Sequence, residues 1–118
     1  MITAEKIITI VSDYFNIEKY LLEMSSRDME IVKARHVAMY FCRYYTELTF
    51  RVIGSHFERD HATVDHAIKS VRDRIDTEKA YKHDFDEIEK LIRKEIEDQT
   101  CSRERSESVI FQENDWYK

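Results

Sequence analysis

The sequence predicts an all-helical domain. It contains one glycine and no proline among its 118 residues, a composition that favours helices joined by short connections. Apolar residues recur at steps of three and four along most of the chain, which is the period of an amphipathic helix. This length suffices for one hydrophobic core. We therefore expect a compact multi-helix domain over residues 1–99. A polar tail over residues 100–118, either flexible or folded back, follows where the period is lost.

The first half of the chain predicts three helices. The apolar stripe of the first helix is Ile7, Ile8, Val11, Tyr14 and Phe15. Asn16 is expected to cap the start of a short second helix, whose inner face would be Ile17, Tyr20, Leu21 and Met24. A long central helix from about Met29 to Glu47 then carries a buried stripe of Ala34, Val37, Ala38, Phe41, Tyr45 and Leu48.

The second half predicts three more helices. Thr49 is a plausible N-cap for a short helix that carries Phe50, Ile53 and Phe57, and Gly54 would allow a neighbouring backbone to approach closely. After a tight turn, Asp60 can cap the next helix, whose buried stripe is Val64, Ala67, Ile68, Val71 and Ile75. A last helix, from about Thr77 to Gln99, would pack through Tyr81, Phe85, Ile88 and Ile92.

Composition narrows the possible functions. No apolar run is long enough to cross a bilayer, and no signal peptide is visible. The two cysteines, Cys42 and Cys101, are too few for a disulfide framework and suggest a reduced, cytoplasmic protein. The single glycine excludes a phosphate-binding loop, so we expect neither a nucleotide nor another cofactor. The chain has a net charge of −5, but residues 25–75 hold nine basic and seven acidic side chains. This middle segment alone is net positive, and local charge matters most for binding a polyanion.

The two helices on either side of the tight turn form a helix-turn-helix candidate. In that motif the N-terminal residues of the second helix contact base edges in the major groove. Here those residues are His61, Ala62 and Thr63, with Arg59 just before them. Histidine and threonine can donate or accept hydrogen bonds, and the threonine methyl can contact a thymine methyl. Double-stranded DNA is therefore the expected partner.

The segment "RDHATVDHA", residues 59–67, resembles the Arg-Asp-His-Thr-Thr-Val-x-His-Ala signature of the C-terminal DNA-binding domain of the replication initiator DnaA. Residues 34–54 and 11–27 are similar to other parts of that domain, so the resemblance covers about residues 3–97. It implies a Trp-repressor-like helical fold in a stand-alone domain without the ATPase. It further implies sequence-specific recognition of DnaA boxes without catalysis. Regulation of replication initiation or transcription, or service to a mobile element, would follow.

The resemblance also implies roles for individual residues. Arg27 matches a basic-loop arginine that enters the minor groove. Lys33, Arg35 and Arg43 match basic positions near phosphates, and His36 replaces a polar residue beside them. The signature itself supplies base-facing and flanking positions. The complete candidate DNA-binding set is Arg27, Lys33, Arg35, His36, Arg43, Arg59, Asp60, His61, Ala62, Thr63, His66 and Lys69.

Three departures from the family pattern bear on DNA recognition. Ala62 replaces the first threonine of the signature, so one base contact is lost or becomes purely apolar. Asp65 replaces an apolar residue and would repel phosphate unless it pairs with Lys69 one turn on. Glu58 replaces two glycines of the turn.

Two catalytic interpretations of the same residues are disfavoured. His56, His61 and His66 are five apart and do not converge on one metal ion. A cysteine–histidine nucleophile at Cys42 is disfavoured because that residue falls among aromatic side chains in a helix. We therefore expect no enzyme activity. The competing interpretation is a protein-interaction module that binds a partner through the acidic last helix and the tail.

Overall fold

The computed structural model describes residues 2–24 and 28–100, and over these residues the chain is helical with short connections. The elements in chain order are α1 (Ala4–Phe15), a 3-10 helix (Lys19–Glu23), α2 (Met29–Tyr45), α3 (Phe50–His56), α4 (His61–Thr77) and α5 (Lys79–Thr100). The predicted all-helical class is confirmed. Within the described part of the chain, no helix is long and apolar enough to span a membrane. The predicted tail lies outside the described residues, apart from Thr100, whose side chain is not described.

The helices begin where short polar side chains can accept hydrogen bonds from free backbone N–H groups. Thr49 accepts from the N–H of Val52, and Asp60 accepts from the N–H of Thr63, as predicted. Thr3 and Asp28 cap α1 and α2 in the same way. These local interactions set helix starts that can be recognised from the sequence.

The region after α1 differs from the prediction in two respects. Asn16 does not start a helix; it ends α1 in the left-handed conformation, with φ of 59°, a conformation that asparagine tolerates. The following segment is a 3-10 helix, which repeats every three residues rather than every 3.6. The buried position is consequently Leu22, whereas Tyr20 and Met24 are 60% and 50% exposed. The predicted inner face was therefore wrong at Tyr20 and Met24, whereas Ile17 is partly buried and packs against the core.

The core is built around α2, which packs against α1, α3, α4 and the 3-10 helix. Every residue from Val37 to Cys42 is fully buried. The rings of Phe41 and Phe85 stack with centroids 4.7 Å apart, and Tyr40 meets Phe85 edge-on. Tyr40 is thus a core residue, and burial raises the pKa of Cys42 to about 12, so its thiol stays protonated at neutral pH.

The last two helices close the core. The predicted buried stripe of α4 is confirmed, with Ile75 only partly buried at its end. Helix α5 packs through the four predicted residues, Tyr81, Phe85, Ile88 and Ile92. Only Glu78 separates the two helices, and α4 extends to Thr77, where α5 was expected to begin. This packing leaves the N-terminal end of α4 on the surface.

Candidate nucleic-acid interface

Helices α3 and α4 form a helix-turn-helix whose turn is fixed by backbone hydrogen bonds. Glu58 has a φ of 56°, the left-handed conformation that lets a chain turn sharply after a helix. The N–H of Arg59 donates to the carbonyl of Gly54 at 2.8 Å, and that of Glu58 donates to the carbonyl of Ser55 at 3.4 Å. This pair of bonds is the Schellman arrangement, which here ends α3 at His56 and leaves three residues before the α4 cap Asp60.

Gly54 is required by a close approach between α3 and this turn. A Cβ atom placed on Gly54 would lie 2.3 Å from the carbonyl oxygen of Arg59 and 3.3 Å from that of Asp60. Both are backbone atoms, which cannot rotate away as a side chain could. The predicted close approach at Gly54 is confirmed.

The first turn of α4 is ordered by its capping residue. Oδ1 of Asp60 accepts from the backbone N–H of Thr63 at 2.9 Å and from its hydroxyl at 2.7 Å. These two hydrogen bonds hold the pKa of Asp60 below its usual value. Because the Thr63 hydroxyl proton is engaged, its oxygen can offer only lone pairs to a further partner. His61 and Ala62 are exposed beside it.

One exposed strip continues from this end along α4. Ala62, His66 and Lys69 are spaced by four and three residues, so they lie on one face of the helix, and all three are exposed. Lys69 forms an ion pair with Asp65 at 3.2 Å, as predicted. That pair offsets the negative charge of Asp65 on this face.

Two arginines of the predicted set point inward rather than along this strip. Arg35 is only 6% exposed, and its guanidinium donates to the carbonyls of Leu22 at 2.9 Å and Met24 at 2.8 Å. Arg59 donates to the same Met24 carbonyl at 2.8 Å, and to that of Glu23 at 3.3 Å. Burial, together with the nearby Arg59 charge, lowers the pKa of Arg35.

Lys33 is also engaged inside the domain. Its Nζ lies 2.6 Å from Oδ2 of Asp84 and 4.9 Å from the ring centroid of Tyr81. The hydroxyl of Tyr14 donates to the other oxygen of Asp84 at 2.8 Å. Partial burial alone would raise the pKa of Asp84, but the hydrogen bonds from Lys33 and Tyr14 bring it below its usual value. Lys33 therefore joins α1, α2 and α5.

The remaining candidates occupy different surroundings. His36 is half-buried, and its pKa is lowered to about 4 by burial and by the charges of Arg35, His66 and Arg74, so it is neutral at pH 7. Arg43 is exposed, with its guanidinium 5.0 Å from the ring centroid of Phe50 at the start of α3. Arg27 lies outside the described residues.

The structure thus gathers part of the predicted set along the first half of α4 and its cap. The exposed members there are Asp60, His61, Ala62, His66 and Lys69, with Thr63 half-buried among them. No group of three or more potential metal ligands occurs among residues 2–24 and 28–100.

Comparison with known proteins identifies the family of this helix-turn-helix. Residues 4–71 match the model of the bacterial DnaA protein helix-turn-helix. The chain belongs to this family. It is 35% identical over 94 residues to the chromosomal replication initiator protein DnaA of Bacteroides thetaiotaomicron. The aligned region covers 79% of this chain and 20% of that protein.

Other DnaA relatives match to a similar extent. The Flavobacterium psychrophilum protein is 40% identical over 84 residues, covering 70% of this chain and 18% of its own length. The Spiroplasma citri protein is 39% identical over 97 residues, covering 81% and 21%. The chain therefore spans about a fifth of the length of the relatives it matches.

Proposed function

We propose that this domain binds double-stranded DNA sequence-specifically, with the N-terminal end of α4 in the major groove. The observation that carries the proposal is the exposure of His61 and Ala62 on the second helix of a helix-turn-helix. Residues at this position of the motif contact base edges. Membership of the bacterial DnaA helix-turn-helix family supports the same partner.

The geometry supports distinct roles within the first turn of α4. His61 can donate to or accept from a base edge according to its tautomer. Thr63, whose proton is held by Asp60, would accept a hydrogen bond from a base amino group. The Ala62 side chain can only make an apolar contact, for which the thymine methyl group is suited.

Phosphate contacts would flank these base contacts. We assign them to Lys69, Arg43 and the strip residue His66, which are exposed. Arg27 would enter the minor groove, as the family resemblance implies. In this proposal Lys33 and Arg35 act through the fold, because their charged groups are engaged by Asp84 and by backbone carbonyls.

We further propose that the target resembles a DnaA box and that the domain acts without catalysis or ATP hydrolysis. The similar proteins are chromosomal replication initiators. Occupation of such sites by this chain would regulate replication initiation or transcription.

Selection of bound sequences from a random duplex pool tests the proposal. We expect one motif to be enriched. We expect His61→Ala to lower the preference for that motif over random duplex by about 1–3 kcal/mol, the typical cost of one base contact. Lys69→Ala is the matched control on the same helix face, and it should weaken both duplexes alike.

Failure of the folded domain to enrich any sequence would refute sequence-specific binding and favour the protein-interaction alternative. Equal loss of specific and non-specific affinity in His61→Ala would refute the base-contacting role of that residue alone. The two outcomes are therefore distinguishable.

A further inference from the structure

Two arginines from distant parts of the chain meet at the end of the 3-10 helix. Arg35 comes from α2 and Arg59 from the turn before α4, and both donate to the carbonyl oxygen of Met24 at 2.8 Å. Arg35 also binds the carbonyl of Leu22, and Arg59 that of Glu23. Three consecutive backbone carbonyls are thus held by two guanidinium groups.

The chemistry of this contact explains why both side chains are arginine. The last carbonyls of a helix lack partners within the helix and accept readily from cations. A guanidinium carries five N–H donors in a planar fork, so it can bridge several acceptors at once. Arg59 bridges further acceptors in this way, because its Nη1 also donates to the carbonyls of Phe57 at 2.9 Å and Glu58 at 3.2 Å.

Two guanidinium groups that share one oxygen repel each other, and the hydrogen bonds to the carbonyls must offset this repulsion. Arg35 is almost fully buried, so its charge must be compensated by acceptors within the protein. Those acceptors are backbone carbonyls of Leu22 and Met24, and the bond to Leu22 is buried.

We propose that Arg35 and Arg59 are positioning residues that fix Leu22–Met24 relative to the N-terminus of α4. Met24 directly precedes residues 25–27, which include the candidate minor-groove residue Arg27, and Arg59 directly precedes the α4 cap Asp60. One pair of side chains therefore connects Leu22–Met24, which lead into residues 25–27 along the chain, with the start of α4. This role in DNA binding rests on the proposed function, whereas the contact itself does not.

The contacts of Arg35 and Arg59 with the carbonyls of Leu22, Glu23 and Met24 are called the arginine clamp below. A first experiment tests this clamp without DNA, by hydrogen exchange of single amides measured with NMR. The N–H groups of Leu21 and Met24 close the 3-10 helix through bonds to Glu18 and Leu21. Arg59→Gln should accelerate their exchange about tenfold relative to amides of α2. Arg59→Lys should give a smaller acceleration, because an ammonium cannot bridge the same acceptors.

Arg51→Gln is the matched control, since it removes the same charge from an exposed position on α3. Exchange at Leu21 and Met24 that rises no more than exchange in α2 would overturn the clamp. Arg35→Lys, a milder change at the buried member of the pair, should reproduce the local effect of Arg59→Lys.

A second experiment tests the consequence for binding with a double-mutant cycle on the selected duplex. If Arg59 acts by positioning, Arg59→Gln should weaken binding about tenfold in the parent and less than about twofold in the Arg27→Gln background. If Arg59 and Arg27 instead made independent phosphate contacts, the fold-losses in affinity of the two variants would multiply in the double variant. Each substitution would then also lower the salt slope by about one. Fold-losses that multiply in this way would overturn the positioning role. A parent domain that binds no duplex refutes the proposed function, while amide exchange still decides the clamp.

Discussion

Replacing Gly54 with alanine should destabilise the domain by opening the turn between α3 and α4. The new Cβ would lie 2.3 Å from the Arg59 carbonyl oxygen, about 1 Å short of the 3.4 Å at which ordinary contact begins. The hydrogen bond from the Arg59 N–H to the Gly54 carbonyl holds the same two residues together, so the turn cannot shift without losing it.

The magnitude follows from opposing effects. Overpacking at a rigid site costs about 1–3 kcal/mol, and the weakened turn hydrogen bond costs about 1 kcal/mol. The gain in helix propensity from glycine to alanine returns about 1 kcal/mol. We expect a net loss of about 2 kcal/mol for Gly54→Ala, which corresponds to a fall in Tm of about 8–16 °C for a domain of this size.

Urea unfolding followed by circular dichroism measures this change directly. Ser55→Ala is the matched control, because Ser55 is exposed and adjacent on the same helix. It should change stability by less than about 0.5 kcal/mol. A Gly54→Ala domain as stable as this control would refute the argument that the backbone approach requires glycine.

Four other substitutions test separate features. Glu58→Gly should stabilise the domain by up to about 1 kcal/mol in urea unfolding, because Glu58 adopts a left-handed conformation that glycine adopts without strain; a loss would contradict this. Lys33→Met should lower the free energy of unfolding by about 1–2 kcal/mol, because it removes a charged partner of Asp84. It should leave the salt slope of DNA binding unchanged, whereas Arg43→Gln should lower that slope by about one. The pKa of His36 is about 4 when folded and ~6.5 when unfolded, so the unfolded chain binds more protons between these values and stability should fall as pH drops through this window. His36→Gln should flatten that part of the stability profile, and an unchanged slope would contradict the role of His36.

Features set by neighbouring residues could be predicted from the sequence. The caps at Thr49 and Asp60 depend on a side chain and an amide three residues apart, so composition and spacing reveal them. The glycine at position 54 stood out because the chain has no other. The buried stripes of α4 and α5 followed from period alone, because each helix is long enough for several repeats. In α2 the period identified Ala34, Val37, Ala38 and Phe41, whereas Tyr45 is only partly buried and Leu48 lies beyond the helix end.

Short elements were harder to predict for a physical reason. The segment from Lys19 to Glu23 spans less than two turns, too few to distinguish a repeat of three from one of 3.6. Asn16 suits either end of a helix, because it can accept a hydrogen bond as an N-cap or adopt the left-handed conformation after a C-terminus. Its position after α1 depends on where the chain turns next, which the local sequence does not specify.

The partners of the basic residues could not be predicted from their spacing. Arg59 and the Met24 carbonyl are 35 residues apart, and a backbone acceptor has no signature in the sequence. Lys33 and Asp84 are 51 residues apart, and both look like surface charges when only the sequence is considered. A family resemblance identifies which positions are basic, but only the packing shows which charges point inward.

This inward orientation changes the electrostatic argument for the middle of the chain. Among the described basic side chains between residues 28 and 75, several are engaged within the protein. Lys33, Arg35, Arg59 and Arg72 donate to acceptors of the domain, and Lys69 and Arg74 pair with Asp65 and Glu78. Counting residues therefore overstates the positive field that a duplex would meet. With few phosphate contacts available, non-specific affinity should be weak, because that affinity derives almost entirely from such contacts. Under the proposed function, discrimination between sites would depend on the base edges that His61 and Thr63 can reach, and hence on the rigidity of the turn that presents them.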